Sequence, residues 1–300
     1  LSGKKADNCG QTSLPVNAGP WVRTDGFPFA PAALQLFEKG VVYSGLTTDE
    51  FSQSEERWYF TGTFRDGTLH DSNSYTCENW SNNEDNNRVR GSVSAFAGRW
   101  SSGTRQSCVG PTHLVCFETG PGPELAPFVR PGKKAFLTSI QGTGNLSSWS
   151  GTDGKTGIEA GDAVCRALAQ QAGLENADHF KALLSDDTTS AGNRIQADGP
   201  WVRLDGILVA ENKDDLVNGR FLTILNLTEK GIYSNQSSSW YAWTPILGTA
   251  GQNQNKTCGN WQNDNPESQG HDSIVFDLSP WMNNSYSECN ETHPLYCIED

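Results

Sequence analysis

The sequence is short of charge, and of positive charge most of all. Charged residues make up 19% of the 300, with 22 Lys and Arg against 35 Asp and Glu, for a formal net charge of −13. A surface this acidic repels phosphate backbones and anionic headgroups, so nucleic acid and anionic membranes are excluded as partners. Sulfated glycans are discounted for the whole surface by the same reasoning. Long apolar runs are also missing: nothing approaches the roughly 18 residues of a membrane-crossing helix. Membrane insertion is therefore not expected, and no signal peptide or lipidation motif is recognisable. Met occurs once, at Met282, and the sequence opens on Leu1. That start reads as a processed product, an excised fragment or an incomplete sequence.

Catalytic signatures are missing as well. There is no Gly-x-Ser-x-Gly, no His-Glu-x-x-His and no phosphate loop, and no enzyme or catalytic residue is expected. The five histidines, His70, His113, His179, His271 and His293, are scattered, so structural zinc is not expected. No Cys-x-x-Cys pair exists, which argues against zinc ribbons and thioredoxin-type sites.

What is present points outward from the cell. Eight cysteines, Cys9, Cys77, Cys108, Cys116, Cys165, Cys258, Cys289 and Cys297, suit disulfides, which form in oxidising compartments. The 23 Asn residues include seven in N-x-S/T triplets: Asn79, Asn145, Asn226, Asn235, Asn255, Asn283 and Asn290. Together they predict a secreted glycoprotein. A bacterial secreted chain whose triplets carry no sugar is the alternative. With 10 Trp, 7 Tyr and 13 Phe the chain is no solvating, disordered composition.

The strongest signal is an internal repeat. Gly19-Pro20-Trp21-Val22-Arg23-Thr24-Asp25-Gly26 returns as Gly199-Pro200-Trp201-Val202-Arg203-Leu204-Asp205-Gly206, 180 residues on. Glu38-Lys39-Gly40 matches Glu229-Lys230-Gly231, and Trp58-Tyr59 matches Trp240-Tyr241. Thr76-Cys77-Glu78-Asn79-Trp80 matches Thr257-Cys258-Gly259-Asn260-Trp261, and from there Trp100, Cys108 and Cys116 find Trp281, Cys289 and Cys297 at an offset of 181. The chain is a tandem duplication: module 1 over 1–118, a Pro-rich linker over 119–133, and module 2 over 134–300.

The two copies are unequal at their N-terminal sides. Copy two opens with a predicted strand over 134–140, then two predicted helices over 161–174 and 176–184. Copy one passes from Cys9 to Trp21 in 12 residues where copy two takes 36 from Cys165 to Trp201. It therefore lacks about the second helix and any opening strand. An unpaired sheet edge would follow, to be filled by a cleaved upstream segment or a neighbouring subunit.

Gly157-Ile158-Glu159-Ala160-Gly161-Asp162-Ala163-Val164-Cys165, then His179-Phe180-Lys181-Ala182-Leu183-Leu184-Ser185, resembles the matching part of collagen endostatin domains. Arg220-Phe221, Thr257-Cys258-Gly259-Asn260-Trp261 and Pro294-Leu295-Tyr296-Cys297-Ile298-Glu299 continue the likeness. Microbial endostatin-like secreted domains are similar through their Trp-Val-Arg-x-Asp-Gly segment. The resemblance covers copy two and most of copy one. It implies an α+β C-type-lectin-like fold: helices on a twisted, mostly antiparallel sheet, with long disulfide-held loops. The family's nested pattern implies Cys165–Cys297 and Cys258–Cys289, with Cys77–Cys108 and Cys9–Cys116 in copy one.

The resemblance also directs attention to the loop after the Cys-Trp pair. In sugar-binding C-type lectins a comparable Asn-Pro loop holds calcium that coordinates sugar hydroxyls. Here Asn263, Asp264 and Glu267, with Asp272, are the candidate calcium and ligand residues. Turns and Asx caps are the structural alternative for the same residues. Trp149 and Trp243 have no Trp counterpart in copy one, which makes them candidates for stacking on sugar. Endostatin's heparin-binding arginine patch does not carry over to so acidic a chain. The expectation is a secreted, non-enzymatic binding protein for glycans or matrix glycoproteins. A structural subunit of an extracellular matrix, coat or filament is the alternative.

Overall fold

The computed structural model describes residues 14–15, 17–53, 58–64, 66–68, 76–81, 83–84, 87–92, 100–102, 105–122, 130–234, 241–244, 256–275 and 285–300. The architecture is mixed α+β, with few helices, several small sheets and three disulfides. Two compact units divide the chain between Phe128 and Val129, apart from a short piece, Phe276–Ser279, outside the described residues.

Unit 1 begins with a hairpin of β1 (Trp21–Val22) and β2 (Pro28–Ala30). The helix α1 (Ala33–Lys39) follows and stops at Gly40, whose φ of 64° suits glycine and turns its N–H back onto the Gln35 carbonyl. A second sheet orders β5 (Arg105–Ser107), β4 (Asn87–Ser92), β3 (Trp58–Phe60) and β6 (His113–Leu114). The core gathers on the fully buried Trp100, with Phe29, Phe37 and Phe117 rings 5.6, 6.0 and 6.0 Å away.

Unit 2 holds a five-stranded sheet in the order β10 (Leu208–Ala210), β9 (Trp201–Arg203), β7 (Lys133–Leu137), β14 (Tyr296–Glu299), β8 (Phe180–Ala182). A three-stranded sheet orders β11 (Tyr241–Trp243), β12 (Gln269–Ile274) and β13 (Ser285–Glu288). The long helix α2 (Gly157–Gln171) buries Ile158, Val164, Cys165 and Leu168, the spacing of one helical face. Gly161 lets that face approach β8: a Cβ there would stand 3.1 Å from the Ala182 Cβ. Asp162 pins the contact, accepting from the Ala182 N–H at 2.9 Å and from the Arg194 guanidinium at 2.7 and 2.8 Å.

Disulfides join Cys77 to Cys108, Cys165 to Cys297 and Cys258 to Cys289. Cys116 is exposed and has no disulfide partner among the described residues, which do not include Cys9. The inner bridges each close 31 residues, a loop whose closure removes about 3–4 kcal/mol of unfolded-state freedom.

The predicted strand over 134–140 is β7, which ends at Leu137, three residues earlier than expected. The first predicted helix is α2, which starts and ends a few residues earlier than expected. The second, over 176–184, is not a helix. Ala177–His179 forms one 3-10 turn, and Phe180–Ala182 is the strand β8 paired with β14. Within β8 the buried Phe180 and Ala182 flank the half-buried Lys181, and pairing to β14 selects that period of two.

The duplication is visible in matching contacts within each unit. Both Gly19-Pro20 and Gly199-Pro200 are cis. The Trp21 indole N–H donates to the Glu118 carbonyl and that of Trp201 to Glu299, both at 2.8 Å. Arg23 pairs with Asp25, and Arg203 with Asp205. One sequence match is out of step by a residue. Phe60 stacks on Trp80 at 5.8 Å as Trp243 lies against Trp261 at 5.7 Å, so Trp58-Tyr59 corresponds to Tyr241-Ala242.

In both units Thr-Cys-x-Asn-Trp is a left-handed turn. Cys258, Gly259, Asn260 and Trp261 have φ of 48°, 60°, 59° and 61°, and Cys77, Glu78 and Trp80 have 50°, 52° and 65°. In unit 2 the turn is capped from outside. The Asn260 N–H donates to the Thr257 hydroxyl at 3.1 Å, and that hydroxyl donates to Asp187 at 2.7 Å.

Gly142 is a crowded backbone position, where a Cβ would stand 2.3 Å from the Trp149 ring. Gly142→Ala is expected to destabilise unit 2 by about 2–3 kcal/mol. Urea unfolding measures this, and unchanged stability would contradict the packing described.

Candidate functional site

The sheet β11–β12–β13 has two unlike faces, because strand residues alternate. Pairing of Trp243 with Asp272, and of Asp272 with Ser285, places these on one face. That face meets the core: a Cβ on Gly270 would stand 2.8 Å from the Trp243 ring and 2.7 Å from the Cys258 sulfur. Pairing of Ala242 with Ser273 and of His271 with Tyr286 places those four on the other face, with Gln269 and Glu288.

The expected stacking residues lie inside the protein. Trp149 is buried, and its indole N–H donates to the Thr143 carbonyl at 3.0 Å. Trp243 is fully buried, donates to the Gly142 carbonyl at 3.0 Å, and has the His293 ring 4.5 Å away. Neither offers a ring to a ligand. Both anchor the backbone around Gly142, an indole N–H of each finding a carbonyl there as buried polar groups must.

The expected calcium loop is occupied by its own turns. Asn263 accepts the Asn265 N–H at 2.7 Å and donates to Ser268 at 3.0 Å, and Asn265 accepts the Glu267 N–H at 2.9 Å. Asp264 and Glu267 are exposed on this loop, whereas Asp272 is buried and accepts from the Ser287 hydroxyl. Among the described residues no three His, Cys, Asp or Glu side chains come together to hold a metal.

The sequon asparagines divide by burial. Asn290 is exposed and Asn145 half-buried. Asn226 is buried, 1% exposed, and accepts from Arg203 at 3.0 Å, so its amide has no room for a glycan. Asn235, Asn255 and Asn283 lie outside the described residues, as does the side chain of Asn79. His70, Trp240 and Trp281 lie outside them as well.

A different constellation sits on the outer face of the sheet. Tyr286 is 44% exposed on β13, its ring 5.0 Å from the His271 ring beneath it. The Lys256 ammonium lies 5.0 Å over the Tyr286 ring and hydrogen-bonds Gln269. Sequence reasoning passed over Tyr286. The available signal was a single aromatic in an otherwise polar strand, Ser285-Tyr286-Ser287-Glu288. Behind this platform the polar atoms are poorly satisfied. Thr244 Oγ1, His271 Nε2, Asp272 Oδ1 and Ser273 Oγ are buried and have no hydrogen-bond partner among the described residues. Three of these atoms lie on β12 and the fourth just after β11.

Burial pushes His271 down to about 4, helped by the Lys256 charge, and burial alone pushes His293 to about 4. Both imidazoles are neutral at pH 7, able to offer one donor and one acceptor each. Burial raises the Asp272 carboxyl; hydrogen bonds from Ser287 and Ser285 oppose this and the Glu291 charge adds to it.

No protein-family model matches the chain, and no curated protein matches it.

The two histidines set an acid response. The unfolded chain gains a proton at each near the ordinary value of 6.5, the folded one only near 4. The unfolded state thus binds more protons between these values, and stability falls as pH is lowered from 6.5 to 4. Asp272 has the opposite sign, since its raised carboxyl takes up a proton earlier in the folded state. The thermal midpoint of the parent is expected to drop further between neutral and mildly acid pH than that of His271→Gln. Equal drops would contradict the assignment.

Proposed function

We propose that the chain is an extracellular binding protein of two endostatin-like, C-type-lectin-like modules, recognising glycans or matrix glycoproteins without catalysing a reaction. The observation that carries this reading is the Tyr286 platform. A saccharide presents an apolar C–H face and a rim of hydroxyls, which calls for an exposed ring bordered by donors and acceptors. Tyr286 supplies the ring, with Lys256 over one of its faces, and Gln269 and Glu288 supply the border. Three disulfides support the oxidising compartment, and no helix among the described residues is long and apolar enough to cross a membrane. Loops held by bridges on a small scaffold suit recognition.

One observation favours the structural alternative. The edge strand β6 leaves Leu114 75% exposed beside the exposed Cys116, where the corresponding Leu295 in unit 2 is fully buried. A chain that assembles with copies of itself would use such an edge.

A glycan array separates the two readings. Binding is expected to survive removal of calcium, since the Asn263–Glu267 loop spends its amide oxygens on turns. Tyr286→Ala is expected to weaken binding about tenfold or more, the value of roughly one good stacking contact. A blank array together with sedimentation as a polymer would favour the assembly reading.

A further inference from the structure

Unit 2 begins with the strand β7, and no counterpart precedes β1 among the described residues of unit 1. In unit 2, β7 runs parallel to β9, with Lys133 beside Trp201 and the Lys133 N–H donating to the Pro200 carbonyl at 2.9 Å. Stepping back along that register places Pro131 beside Gly199. In unit 1 the residue beside Gly19, the counterpart of Gly199, is Pro121, again parallel. The Gly122 N–H donates to the Gly19 carbonyl at 2.8 Å, and the Gly19 N–H to the Gly120 carbonyl at 3.3 Å.

The steric surroundings agree. A Cβ on Gly122 would stand 2.8 Å from the Pro20 carbonyl oxygen, and one on Gly132 2.9 Å from that of Pro200. Pro121-Gly122 thus holds, against Gly19-Pro20, the place that Pro131-Gly132 holds against Gly199-Pro200. In unit 2 this pair precedes the module. In unit 1 it follows the module's last segment, Phe117-Glu118, where the Trp21 indole is anchored.

We propose that unit 1 is a circularly permuted copy, whose opening position is filled from its own C-terminal side by Gly120–Gly122. The occupant of the slot beside Gly19-Pro20 is this chain itself, not an upstream segment or a neighbouring subunit. The Pro-rich stretch over 119–133 is then no spacer at its ends: Gly120–Gly122 belongs to unit 1 and Lys133 to unit 2. A chain cut after Glu118 would remove part of the module.

Hydrogen exchange on the full chain, read by mass spectrometry, tests this. Pro121 and Pro123 carry no amide, so a peptide across 120–123 reports Gly120 and Gly122 alone. The Gly122 amide is expected to exchange at least about tenfold slower than in an unfolded chain. Gly122→Ala is expected to speed exchange over 18–22 by about tenfold, leaving β7 and β9 unchanged. Gly120→Ala, with open space around its Cβ, changes neither. Unfolded-chain exchange at Gly122, or equal insensitivity of unit 1 to both substitutions, would overturn the proposal.

Discussion

Each unit depends on one constrained element, the left-handed turn of Thr-Cys-x-Asn-Trp. L-residues enter this conformation at a cost of about 1–2 kcal/mol each, and unit 2 places three non-glycine residues there. The constraint holds because the turn is tied at every point. Its first residue is bridged to Cys289, and its last, Trp261, is buried and donates to the Ser185 carbonyl at 2.7 Å. A bridge of this loop length and a buried indole are each worth about 2–4 kcal/mol, which offsets the strain. With Trp261 so placed, Trp243 packs edge-on against it and fixes one face of β11–β12. On the opposite face His271 is buried, while Tyr286 on β13 reaches the surface. The candidate binding surface is a consequence of a strained turn deep beneath it.

The duplication makes each unit a control for the other. In unit 2, β14 lies between β7 and β8 and is buried along its length. Its counterpart in unit 1 ends in Cys116, Phe117 and Glu118, of which the first and last are exposed. The corresponding residues, with fewer flanking elements among the described residues, are less covered. That difference is what leaves Leu114 open at the β6 edge and gives the assembly reading its one support.

Much of this was legible from residue spacing. The repeat marked the matching residues of the two copies, and the run from Lys134 to Ile140 marked most of β7. The matching Cys-Trp pairs marked the turn, and Gly259 and Asn260, residues that tolerate positive φ, carried a hint of its hand. Other features were hidden because tertiary pairing decides them. Phe180 to Leu184 fits a helix or a strand by pattern, and only the presence of β14 selects the strand. Trp243 stands out as an unpaired tryptophan, yet its counterpart is Phe60, one residue away from the apparent match. Asn226 satisfies the sequon rule while its side chain serves the buried Arg203. Tyr286 was missed because exposure, not residue type, makes it a platform.

The handedness of the turn is the central claim, and glycine substitution reads it by sign. Glu78 is exposed at φ 52° where the other copy has Gly259 at φ 60°. The measurement is thermal unfolding of Glu78→Gly and Gly259→Ala. A left-handed turn predicts that Glu78→Gly stabilises by about 1 kcal/mol and Gly259→Ala destabilises by about 1–2 kcal/mol. A right-handed helical turn would reverse both signs, since glycine then costs about 1 kcal/mol relative to alanine, and that reversal would contradict the account.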